Sequence, residues 1–200
     1  IGVVLMFTNN KAAMFGLDAR IALAIFGALS VISGAALYSA IKQAKIISIL
    51  AQFEEISKAN ESYYVDVGSP IRKIGEIDSG HVGINYTLVA GDLVEDNSLN
   101  GWNGRYFTPY ELSTDKTVLS MNNDDKIILI KARNVTWGDT TGTLTCINAI
   151  DCTIWIQFKV TESINADFDK YVDGSSTKDT GRVRIRNDAP DIIFYNTNIR

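Results

Sequence analysis

The sequence predicts an α+β protein, with one long N-terminal helix packed on an antiparallel β-sheet. Three observations predict it. From Ile21 to Ile41 the chain reads IALAIFGALSVISGAALYSAI, twenty-one residues without a charge. Beyond Lys42, apolar residues recur at spacings of three and four: Ile46, Ile49, Leu50, Phe53 and Ile56. After Gly101 the chain turns to short β-rich runs separated by turn residues.

The uncharged stretch comes first. About twenty apolar residues in a helix cover the roughly 30 Å hydrocarbon core of a bilayer. Residues 21–41 meet that length and nothing later in the chain repeats it. Lys42 and Lys45 form an ordinary polar flank, and Arg20, near the other end, can extend its head group to the interface. The small residues Gly27, Ser30, Ser33, Gly34, Ala35 and Ala36 allow helices to approach closely. No proline occurs between Asp18 and Ser62, so one helix is expected from about Leu17 to Tyr64. Its first half is apolar on all sides. In its second half Lys42, Lys45, Gln52, Glu55 and Lys58 occupy other faces than the apolar stripe, which should pack on the sheet.

The remaining residues, about 140 of the 200, suffice for one domain with its own core. A net charge of −4 and the lack of a basic patch argue against a nucleic-acid partner. Gly68-Ser69-Pro70, Gly75 and Asp78-Ser79-Gly80 mark turns, and Ala90 to Leu99 is expected to form a short helix. Strands are expected at Thr117–Met121, Lys126–Ala132, Thr141–Ile147, Thr153–Val160, Val183–Ile185 and Asp191–Tyr195. Ser163 to Val172 reads as a helix, with Ile164, Phe168 and Val172 four residues apart.

The two cysteines, Cys146 and Cys152, have five residues between them. In an oxidising compartment they would staple the tip of a hairpin formed by 141–147 and 153–160; in a reducing one they would be two buried thiols. Two cysteines and the single His81 cannot supply a four-ligand zinc site without carboxylates. His81 lies in a Gly-flanked loop, and no nucleophile elbow, phosphate-binding loop or dinucleotide motif occurs, so enzymatic activity is not expected. Three Asn-x-Ser/Thr triplets begin at Asn60, Asn85 and Asn134 and read as chance matches.

The segment Lys11-Ala12-Ala13-Met14-Phe15-Gly16-Leu17-Asp18, followed by the apolar run, resembles the N-terminus of the type IV pilin and type II secretion pseudopilin family. In that family a prepilin peptidase removes a short leader, the new N-terminal residue is N-methylated, and the fifth residue is an acid. Cutting between Ala13 and Met14 makes Met14 first, Asp18 fifth and Phe26-Gly27 thirteenth and fourteenth. A cut between Gly16 and Leu17 is the alternative; it supplies the usual Gly but leaves Ile21 at the acid position. The chain departs from the family in having Asp for Glu, Ala before the cut, Arg20 within the helix, and Ser33-Gly34-Ala35-Ala36 where a mid-helix Pro is common.

The resemblance implies residues 1–13 as leader, 14–64 as the long helix crossing the membrane at 21–41, and 65–200 as a periplasmic or extracellular pilin domain; residues 1–5, apolar and ahead of Met6, read as foreign to the natural product. It implies a structural subunit held in the bacterial inner membrane by a single pass, then built into a helical homo-oligomeric filament by an inner-membrane assembly platform. Asp18 would pair with the α-amine of Met14 in a neighbouring subunit; the plainer reading is that Asp18 caps its own helix. The Gly101-Trp102-Asn103-Gly104-Arg105-Tyr106 turn resembles one found ahead of the pseudopilin sheet, with Arg105 in place of Pro. Asp173 to Arg182 resembles the acidic, Gly-containing loop late in many family members. Calcium held by Asp173, Ser175 and Asp179 is one reading of it and simple turn chemistry is the other. The alternative function is a single-pass anchored periplasmic binding domain that does not polymerise.

Overall fold

A computed structural model describes residues 10–74, 87–121, 125–133, 152–175, 177–186 and 189–199, with backbone alone at 10–15, 162, 186, 189 and 190. The chain divides into two compact units, Ile1–Lys45 and Ile46–Arg200. The first helix, α1, is Asn10–Val67, longer at both ends than the expected 17–64. Its early start places Asp18 two turns inside the helix, so Asp18 is not the cap of its own N-terminus.

Within the first unit, the described side chains from Gly16 onward are exposed except Lys42, which is half-buried. The helix from Gly16 is long and apolar enough to cross a membrane. Ser30 returns its hydroxyl to Phe26 O at 2.8 Å, which satisfies that polar group inside the helix. Lys42 sets its ammonium 5.7 Å from the centre of the Tyr38 ring, placing an aromatic and a cation together where the apolar run ends.

The second unit is an α+β domain. Ile46, Ile49, Phe53, Ile56, Asn60 and Tyr63 are buried along one stripe of α1, at spacings of three and four, while Ile47, Tyr64 and Val65 face outward. Leu50, expected in the stripe, is half-buried at its margin. The stripe packs on a six-stranded antiparallel sheet: β1 Glu111–Leu112, β2 Val118–Ser120, β3 Lys126–Arg133, β4 Cys152–Lys159, β5 Val183–Arg186 and β6 Ala189–Asn196, in the order β1-β2-β3-β4-β6-β5. Helix α2, Glu162–Asp173, connects β4 to β5.

Alternation decides which side chains meet α1. Ile127 and Leu129 of β3, Ile154, Ile156 and Phe158 of β4, and Ile193 and Tyr195 of β6 join the helix stripe in one core. Phe53 is its hub, with ring centroids 5.6 Å from Phe158, 5.9 Å from Phe168 of α2 and 5.2 Å from Tyr195. The reverse face carries a second cluster of Ile130, Ala132, Trp155 and Phe194, flanked by Ile128 and Ile192. A strand apolar on both faces has to be interior, and β4 is: β3 lies on one side and β6 on the other.

Two expectations change here. The expected hairpin between 141–147 and 153–160 is not the pairing that β4 makes. Cys152–Phe158 pair with Arg133–Ile127, Trp155–Lys159 pair with Asn196–Ile192, and Ile154 N donates to Ile199 O at 2.8 Å. Both edges of β4 are occupied, and residues 141–147 lie outside the described residues. The expected helix over Ala90–Leu99 is reduced to one 3-10 turn at Ala90–Leu93. Asp96 accepts the Ser98 amide at 2.8 Å, and Ser98 takes φ +59°, so local side-chain bonding displaces the helix after one turn.

Candidate functional site: the apolar helix, the α1–sheet junction and the carboxylate loop

The residues of the expected processing and assembly site lie on α1. Ala13 and Met14 fall within its helical backbone, and Asp18 and Arg20 are exposed in the following turns. Leu23, Phe26, Leu29, Val31, Ile32 and Leu37 are also exposed, on every side of the helix. Gly27 and Gly34 have open space where a side chain would be. In water such a surface would be costly at about 25 cal/mol per Å² of apolar area. It is therefore a surface suited to lipid or to other helices.

Past the C-terminal end of α1, a polar junction that the sequence reading had only in part ties the chain to the 3-10 turn and the loop ahead of β1. Arg72 reaches across twenty positions to Asp92, which is fully buried; the guanidinium donates from Nη2 and from Nε at 3.0 Å, and Asn97 Nδ2 adds a third donor at 2.9 Å. Charge-assisted bonding of this kind lets a carboxylate remain inside the domain. The Gly101–Tyr106 turn closes the same junction. Trp102 Nε1 donates to Asp92 O at 2.9 Å, Arg105 Nε donates to Val94 O at 3.1 Å, and Tyr106 OH donates to Asp66 on the last turn of α1 at 2.9 Å. Gly101 has φ +87°, and a Cβ there would collide with Asp66 O. Tyr63 sits beneath, edge-on to Tyr106 at 5.7 Å. Burial pushes its hydroxyl up to about 12, with the Asp92 charge adding to the effect.

At the opposite end of the sheet lies the acidic loop. Helix α2 ends at Asp173, and Gly174 caps it in the left-handed conformation at φ +75° with its amide on Lys170 O. Asp173 does not turn outward. Its Oδ1 accepts Arg182 N at 3.1 Å and its Oδ2 accepts Val183 N at 2.9 Å. Ser175 and Asp179 are exposed on the loop itself. Among the described residues no three His, Cys, Asp or Glu side chains converge as a metal-holding group.

One turn back along α2, Asp169 is fully buried, and neither of its oxygens has a hydrogen-bond partner of ordinary geometry among the described residues. Desolvation, reinforced by the charge on Asp173, pushes its carboxyl up to about 7, so it holds a proton well above the usual carboxylate range. Sequence reading missed it because Asp169 looks like a solvated residue beside Phe168. The signal was its place one residue on from the 164, 168, 172 stripe.

Arg184 stacks on Trp155 at 4.7 Å and donates to Gly181 O at 3.3 Å. Arg182 lies over the Tyr195 ring and donates to its hydroxyl. Cys152 is buried and disulfide-bonded at the start of β4. Cys146, His81 and the triplet at Asn134 lie outside the described residues, as does most of the one at Asn85. Asn60 is buried, which leaves its triplet inaccessible to a glycan. No family model, no curated protein and no solved structure matches this chain.

Proposed function

We propose that this chain is a structural subunit of a type IV pilus-like or type II secretion pseudopilus filament. It is held in a bacterial inner membrane by a single pass, with its body in the periplasm, and is then assembled helically with further copies. The observation that carries the reading is the division of one helix, α1. Its residues 21–41 are uncharged and exposed on all sides, while its residues 46–63 bury one stripe against an antiparallel sheet. The order of Ala13, Met14 and Asp18 supports it further, since a cut before Met14 makes Asp18 the fifth residue, on the same helix as the apolar run.

In this reading Met14 is the mature N-terminus, and Asp18 neutralises the α-amine of a neighbouring subunit as helices leave the membrane. An unpaired carboxylate among apolar helices is costly, so that pairing sets the axial stagger. The body is a structural surface and not an enzyme. The disulfide at Cys152 fits an oxidising compartment. The reading does not call on calcium. Both Asp173 oxygens already accept backbone amides, and a calcium-dependent rise in Tm would be needed to add the ion.

The test is the N-terminal peptide mass of the mature protein, from cells with and without a prepilin peptidase. An N-methylated peptide starting at Met14, absent without the peptidase, is the expected result. An uncut N-terminus in both strains replaces this reading with a permanently anchored periplasmic binding domain.

A further inference from the structure

An edge strand presents a row of backbone amides and carbonyls that another chain can pair with. This sheet has two edges, and they are unequal. β1 offers two residues; β5 offers four, Val183-Arg184-Ile185-Arg186. Which β5 groups face outward follows from the antiparallel ladder. Asn196 N donates to Arg182 O at 2.8 Å, so the Arg182 carbonyl and Arg184 address β6 while 183 and 185 point away from it; the Arg182 amide goes instead to Asp173 Oδ1.

Both outward amides are already taken. Val183 N donates to Asp173 Oδ2 at 2.9 Å, and Ile185 N donates to Lys178 O at 2.7 Å. The loop after α2 thus imitates a neighbouring strand, with one bond from a side chain and one from its own backbone. The contact is tight: a Cβ on Gly181 would collide with Asp173 Oδ2, and Gly181 has φ +91°. Asp173 holds the amides of Arg182 and Val183, Lys178 O holds that of Ile185, and the positive-φ Gly181 lets the chain pass close to Asp173.

We propose that Asp173 is a latch closing the loop over the outer edge of β5, and that the closed latch keeps β5 from adding a strand of a second copy of this chain. The self-pairing it prevents has a definite register. About a two-fold axis at Arg184, Val183 of one copy faces Ile185 of the other, and the amides and carbonyls of 183 and 185 bond in both directions. Those pairs are β-branched, which favours a strand. This inference is independent of the filament reading, because it concerns the body alone.

The experiment uses the full chain in detergent micelles, comparing wild type with Asp173→Ala, Gly181→Ala and Lys178→Ala. Hydrogen exchange is read at Val183 and Ile185, and particle mass by light scattering over a range of protein concentrations. Asp173→Ala should speed exchange at Val183 about tenfold or more. Its mass should rise with protein concentration beyond that of wild type in the same micelle. Gly181→Ala reaches the same state from the other side of the contact and carries the test if Asp173→Ala fails to fold. Lys178→Ala keeps its backbone carbonyl and should match wild type. Unchanged exchange at Val183 in both latch variants overturns the latch. Faster exchange with wild-type mass at every concentration overturns the self-pairing.

Discussion

The two parts of α1 share a backbone but not a solvent. Around Phe26 and Ile32 the side chains are exposed on every face, and no buried partner gives the helix a preferred side. Around Phe53 and Ile56 only one face is apolar, and it is covered by Phe158, Phe168 and Tyr195. The first part needs an environment supplied from outside the chain; the second carries its own. The difference teaches that a hydrophobic helix is defined less by how apolar it is than by whether its apolar positions keep a single phase.

Substitution on each side should separate the two. The largest effect is expected from Phe53→Ala, which empties the hub and should cost the body about 3–5 kcal/mol, measured by chemical denaturation in micelles through Trp155 fluorescence. Ile32→Ala, read the same way, should stay within about 0.5 kcal/mol. If both destabilise the body equally, the division of α1 is wrong. Ile32→Lys instead attacks the first part. It should weaken membrane insertion by about 3 kcal/mol, seen as loss from the membrane fraction, with the body's melting unchanged.

Asp169 gives the comparison a pH axis, since it is the buried carboxyl of the self-contained unit. Its folded pKa of about 7 exceeds the ordinary 3.8. Between those values the folded chain keeps a proton that the unfolded chain releases. The contribution is therefore full below about pH 3.8 and is lost as pH rises towards 7. The loss has an upper limit of about 4 kcal/mol, at about 1.4 kcal/mol per pH unit. A series of denaturation curves at pH 4 to 8 should show it, and Asp169→Asn should flatten it. A wild-type curve that rises over the same window would contradict the burial of that carboxyl. A smaller effect on the body is expected from Trp102→Phe, which removes the bond to Asp92 O and should cost about 1 kcal/mol in the same assay.

Much of this was legible in the sequence, because period and length report burial directly. The long helix, β3 over KIILIKAR, β4 over CTIWIQFK and α2 all announce themselves by apolar spacing. What was hidden depends on distant partners. β4 flanked by 141–147 is a reasonable local hairpin, yet β6, more than thirty positions later, takes that edge. Nothing near Asp92 discloses Arg72, and nothing near Asp173 discloses the amides of Arg182 and Val183. β1, two residues long, is below the length at which alternation can be recognised.

The position of β6 has a consequence for timing. Residues 189–196 are inserted between β4 and β5, and Ile199 then bonds to Ile154. The sheet therefore lacks an inner member until synthesis has passed residue 199. Residues 21–41 leave the ribosome long before that. The apolar part of α1 is therefore made and exposed while the body is still an unfinished chain, and the stripe around Phe53 is covered only later.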